Sequence, residues 1–140
     1  MTVLSFIAMY VLMYMMVDSF DNVFASVNQL YMVGSMTAAM VIIEVIIMGA
    51  MYKDKRSNVK IVGASFIVLV ICVAFTRTQF AISEQDFLRS MISHHASALL
   101  MCEQNTNLED PEVKKLCGNI LSGQQSEIDF MKMKLQSRTR

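Results

Sequence analysis

No lysine or arginine occurs before Lys53 in this chain of 140 residues, and the acidic residues there are only Asp18, Asp21 and Glu44. An ordinary soluble domain carries charge throughout, so so long a stretch without it excludes that class for the first half. Charge of one sign is also lacking in the second half: seven Lys and Arg stand against eight Asp and Glu from Gln79 to Arg140. No basic face is offered to nucleic acid, which is dropped as a partner. The three cysteines, Cys72, Cys102 and Cys117, lack the CxxC spacing of a zinc or redox motif. There is no HExxH, no Glu-x-x-His and no CxxCH, which removes zinc proteases, di-iron bundles and attached haem. No nucleophile sits beside a positioned base, so neither enzymatic activity nor a small organic substrate is expected.

What is present is oil and methionine. The sequence is 54% apolar, and ten of its fourteen methionines fall in the first 51 residues. Met1 to Val17 and Ile61 to Thr76 carry no charged side chain, and Leu30 to Tyr52 carries only Glu44. These runs predict three transmembrane helices at about 1–17, 28–52 and 59–77, the first and third short of the roughly 20 residues a bilayer needs. Lys60 and Arg77 can snorkel to extend the third. A signal peptide cleaved near Val23-Phe24-Ala25 is the competing reading of the first run, but that run lacks a positive n-region and Asp18 and Asp21 interrupt it, so an uncleaved anchor is preferred. The loop "KDKRSNVK" holds four positive charges and "DSFDN" two negative ones. The positive-inside rule then places the amino terminus in the cytoplasm of a plasma (inner) membrane protein, and everything after Thr76 in the periplasm or its equivalent.

In the second span Met32, Met36, Met40, Glu44 and Met48 recur every four residues, and Gly34/Ala38 and Ser35/Ala39 form small pairs suited to close helix contact. The methionine stripe reads as flexible core filling. An ionisable Glu44 at membrane depth is costly and calls for a partner, Ser65 or a cation, which leaves open a small transport subunit built on it.

After Phe80 the pattern becomes that of a helical hairpin spanning 79–140. Ser83 with Asp86 opens one helix running to about Asn105; "NTNLED" is the turn; Asp110 caps a second helix with Pro111 at its first position, running to about Leu135. At about 100° per residue, Met91, His94, His95, Ala98, Met101 and Cys102 share an arc of about 120°. Cys117, Ile120, Gln124, Glu127, Ile128 and Met131 share one face of the second helix. Antiparallel pairing brings Cys102 level with Cys117, as a disulfide or as two thiolate ligands, and Met91, His94 and His95 near Gln124, Glu127 and Met131. Imidazole and thioether together suit copper, above all the cuprous ion, so His94, His95, Met91, Met101, Met131 and Glu127 are the candidate ligands. The plainer reading is a packed face on which a histidine bonds Glu127, in a structural or sensory membrane module.

"FLRSMISHHASALLMCEQ" followed by "DPEVKKLCGNILSGQQSEIDFMKMKL" resembles the domain of unknown function 305 family. The carrying residues are Met91, His94 and His95 of a Met-x-x-His-His motif and Gln124, Glu127, Ile128 and Met131 of Gln-x-x-Glu-Ile-x-x-Met. Where the family has proline before the histidine pair, this chain has Ser93. The resemblance implies a ferritin-like, all-α helical protein of bacterial, often extracytoplasmic type, with copper as an associated metal. The expectation is thus an all-α chain of three spans and a hairpin that completes a four-helix bundle by homodimerisation and holds copper or silver.

Overall fold

The computed structural model describes residues 1–49, 51 and 54–138. Ala50, Tyr52 and Lys53, in which the expected second span ends and its basic loop begins, lie outside the described residues. The chain is all-α: α1 (Thr2–Leu12), α2 (Val27–Met48), α3 (Lys55–Thr78), α4 (Glu84–Gln104) and α5 (Pro111–Arg138), with short 3-10 turns at Met13–Met16 and Phe20–Asn22 and no strand among the described residues. The helices form two compact units, Met1–Leu12 with Val27–Ile82 and Met13–Ser26 with Ser83–Arg140.

In the first unit α2 packs along α3 and, over a shorter length, along α1. Two of its helices, α2 and α3, are long and apolar enough to cross a membrane. At 1.5 Å per residue they reach about 33 and 36 Å, against a hydrocarbon core of roughly 30 Å. The first expected span is shorter than its apolar run: α1 ends at Leu12 and a single 3-10 turn follows, which together reach roughly 25 Å. Of the small pairs, Gly34 marks a close approach. A Cβ added at Gly34 would stand 3.0 Å from the Cys72 sulfur, so α2 and α3 approach closely there. The Thr37 hydroxyl on α2 faces the Met9 sulfur of α1 at 3.8 Å. No side chain of α3 is fully buried, and its Phe66, Ile67, Val68, Val70, Ile71 and Val73 are exposed.

An aromatic cluster ends this unit. Tyr31 packs edge-on to Phe75 (ring centroids 5.4 Å), Phe75 stacks on Phe80 (4.7 Å), and the Tyr31 hydroxyl donates to the Phe80 carbonyl at 3.2 Å. Gln79 and Ala81 on either side of Phe80 take left-handed backbone angles, φ 51° and 55°, which end α3 sharply.

The second unit has a conventional core. Ile92, Ala96 and Leu99 of α4 meet Ile128 and Met131 of α5, with Leu88, Met91, Leu121 and Leu135 around them. Both helix starts follow from their caps: Ser83 Oγ accepts from the Asp86 N–H at 3.1 Å, and Asp110 Oδ1 accepts from the Glu112 and Val113 N–H groups at 2.7 and 3.4 Å. Pro111 opens α5, where its missing N–H costs nothing. Cys102 and Cys117 form a disulfide, Cα atoms 5.4 Å apart, that clamps the helices beside the turn.

A simple division near residue 78 overlooks Met13–Ser26, which joins the hairpin. Val17 and Phe24 pack against the α4/α5 core, Asn22 and Ser26 are buried, and Ser93 Oγ donates to the Asn22 carbonyl at 3.0 Å. Tyr14 donates to the Phe24 carbonyl at 3.0 Å, folding the segment on itself. Ser93, at the position before the histidine pair, adds this one hydrogen bond to the apolar packing of the segment.

Candidate functional site

The buried stripe of α4 is not the histidine arc. With Met91 at zero, Leu88, Ile92, Ala96 and Leu99 fall near 60°, 100°, 140° and 80°, and these residues form the core. The arc from Met101 through His94 to His95 is centred roughly 115° away. The expected ligands therefore separate. His94 is exposed and Met101 is 61% exposed, on the outer side of α4. Met91 lies half-buried at the border of the core, and Met131 is inside it at 7% exposure. Cys102 and Cys117 are removed as ligands because each sulfur is bonded to the other. Among the described residues no three or more His, Cys, Asp or Glu side chains gather as a metal-holding group.

One interhelical contact from the expected set does form. His95 Nε2 lies 2.7 Å from Glu127 Oε2, with the imidazole side chain 12% exposed and the carboxylate 62%. A carboxylate is an acceptor, so Nε2 carries the hydrogen that bonds it and the neutral imidazole keeps its lone pair on Nδ1. That Nδ1 is buried with no hydrogen-bond partner, as is Oε1 of Gln124, one turn before Glu127 on α5. The His94 ring lies 6.0 Å from that of His95, centroid to centroid. This is close to the longest separation at which two imidazoles with metal–nitrogen bonds of about 2.1 Å can share an ion.

The arrangement resembles the outer half of a carboxylate–histidine–metal triad, in which a carboxylate fixes the tautomer and orientation of a ligating ring. In that arrangement Glu127 orients and does not ligate. The orphaned state of the Gln124 oxygen is not visible in residue spacing; what marked Gln124 in the sequence was its place on one face of α5 with Glu127 and its position in the Gln-x-x-Glu-Ile-x-x-Met motif.

The site thus belongs to an antiparallel helical hairpin with the His95–Glu127 contact at its edge. The chain belongs to the family described as Domain of unknown function (DUF305), whose pattern matches residues 74–139. It is similar along nearly its whole length to Uncharacterized protein L153 of Acanthamoeba polyphaga mimivirus: 30% identical over 140 residues, covering 99% of this chain and 90% of the viral one. The likeness therefore includes the apolar first unit as well as the hairpin. No solved structure matches the chain.

Proposed function

We propose that this is a multi-pass membrane protein whose extracytoplasmic hairpin binds a soft metal ion, copper first and silver as its mimic, for buffering or resistance. The observation that carries the metal reading is the buried, unpartnered Nδ1 of His95 on a ring held by Glu127 at 2.7 Å. An imidazole with one nitrogen tied to a carboxylate and the other bare is preset for a cation. The metal-binding groups are His95, the neighbouring His94 and the half-buried Met91 thioether. A thioether and imidazoles select copper over magnesium or calcium.

The membrane reading is supported by the exposed apolar surface of α3, which in water would be a large aggregation surface and in lipid is at home. It is further supported by the membership of Met13–Ser26 in the same unit as Ser83–Arg140, because segments that pack together share one side of a bilayer. An even number of crossings by α2 and α3 satisfies this, and α1 enters from the opposite, cytoplasmic side as a third, short span. Exposed Phe87, Leu116, Phe130 and Met133 on the hairpin give a second copy an apolar surface to cover, as a homodimer would.

Copper and silver content of the full-length protein, purified in mild detergent, tests the metal reading. Replacing His94 and His95 together by alanine is expected to abolish retention with helix content intact. Glu127→Gln should weaken affinity 10- to 100-fold, the usual effect of losing an orienting partner. Retention should also fall on acidification, because a ligating imidazole must be neutral. The His95–Glu127 contact itself favours a second reading, a hydrogen bond that only locks α4 to α5. A parent protein that retains no metal, together with a double mutant that unfolds, establishes that reading instead.

A further inference from the structure

Where α2 stops and α3 begins, a groove of about 390 Å³ lies between the helices. Val45, Ile46 and Gly49 line one side and Val59 and Val62 the other, with Lys55 and Asn58 as its polar lining. Nothing fills it from Gly49: a Cβ there would stand 2.9 Å from the Val45 carbonyl oxygen, and backbone cannot give way. Ile46 and Val59, on opposite walls, are both exposed.

The polar lining has a definite sign. Lys55, Arg56 and Lys60 stand near one acid, Asp54, and that carboxylate is already engaged. Its Oδ1 accepts from the Arg56 and Ser57 N–H groups at 3.0 and 3.3 Å and its Oδ2 from the Ser57 hydroxyl at 2.6 Å. Lys55 makes no ion pair among the described residues. An apolar groove with an ammonium and an amide in its polar lining complements a molecule with a hydrocarbon chain and an anionic head.

Resting on the membrane-spanning reading of α2 and α3, we infer that this groove is a binding site for one anionic phospholipid of the cytoplasmic leaflet. The acyl chain lies along Val45, Ile46, Val59 and Val62; the phosphate meets Lys55 and Asn58. The basic first turn of α3 then does more than set orientation. It holds a lipid where two helices separate, in a volume within the range of small-molecule sites. A second copy's helix would also cover the apolar walls but would leave Lys55 without an anion.

The test uses the full chain in bilayer nanodiscs of phosphatidylcholine doped with phosphatidylglycerol, released into a mass spectrometer to identify the lipid retained. The parent is expected to keep phosphatidylglycerol in preference to phosphatidylcholine. Lys55→Gln should lower that preference roughly fivefold, the worth of one basic residue at an anionic surface. Lys60→Gln, about 140° round the helix from Lys55, should leave it unchanged, and Val59→Phe, which fills the groove, should lower retention of both lipids. Equal losses for Lys55→Gln and Lys60→Gln would reduce the effect to diffuse surface attraction and overturn the site. Retention unaffected by Val59→Phe, displacement by soluble glycerol phosphate, or a lipid-free dimer would overturn it as well. A protein that washes out of vesicles with alkaline carbonate fails at the earlier step, the membrane reading, and takes the lipid site with it.

Discussion

The first unit leaves its apolar side chains bare and the second hides them. In α3 no side chain is fully buried, whereas α4 and α5 bury Ile92, Ala96, Leu99, Ile128 and Met131 in one cluster. On the membrane reading proposed above, the difference is one of solvent. A hairpin in water must form a dry stripe, because burial of each large aliphatic side chain is worth about 1.5–3 kcal/mol. Helices in lipid have no such drive toward one another and associate through close backbone approach, as at Gly34 and Cys72. The same composition rule thus gives opposite burial patterns in one chain.

The sharpest way to break this comparison is a matched pair of truncations. Ile92→Ala or Ile128→Ala should destabilise the hairpin by about 2–5 kcal/mol, while Ile67→Ala on α3 should cost below about 1 kcal/mol in detergent, since its side chain is 60% exposed and has little packing to lose. Chemical denaturation of the full chain, followed by proteolysis within each unit, reads both. Equal costs would mean that α3 is packed as a soluble core helix.

The next effect is that of the disulfide. Cys102→Ser with Cys117→Ser, or reduction, opens a loop of 15 residues' separation and should cost the hairpin about 3 kcal/mol in the chain-entropy account. Melting of α4 and α5 should fall while α2 and α3 are unaffected.

Smaller still is the fastening of Met13–Ser26. Ser93→Ala removes the bond to the Asn22 carbonyl, worth about 1 kcal/mol. Amide exchange should accelerate in residues 13–26 and stay as it was in α2. Unchanged exchange in that segment would show that Val17 and Phe24 hold it alone.

The smallest effect belongs to Asp54. The Ser57 hydroxyl, then the Ser57 N–H, hold its carboxyl below the usual carboxylate range against a weak opposing desolvation, with a smaller contribution from the Arg56 N–H. A depressed folded value means that the cap is fully present above the ordinary carboxylate range and is lost as pH falls through the lower folded value. Protection factors at Arg56 and Ser57, with the intrinsic pH dependence of exchange divided out, should therefore be flat near neutrality and fall only in acid below the ordinary carboxylate range, and Asp54→Ala should remove that acid dependence.

Local chemistry made the hairpin legible in the sequence. Ser83, Asp110 and Pro111 announce helix starts through groups within three residues of themselves, and antiparallel counting brings Cys102 to Cys117 and His95 to Glu127. The stripe of α4 was harder to read because two stripes compete there. Met91, His95, Ala98 and Cys102 run alongside Leu88, Ile92, Ala96 and Leu99, and the second set supplies the dry core through Ile92, Ala96 and Leu99. The fastening of Met13–Ser26 to Ser93 joins residues 71 apart in sequence, and no periodicity within either segment carries that information.

Two solvents for two units, with Met13–Ser26 on the hairpin's side, is the claim on which the rest stands. Thiol labelling in sealed vesicles tests it most directly, with Cys72→Ser as background and single cysteines at Phe20, Ser57 and Asn107. The account predicts that Phe20→Cys and Asn107→Cys react with an impermeant maleimide from the same face, and that Ser57→Cys reacts only from the other. Phe20→Cys and Asn107→Cys on opposite faces, or all three on one, would contradict it.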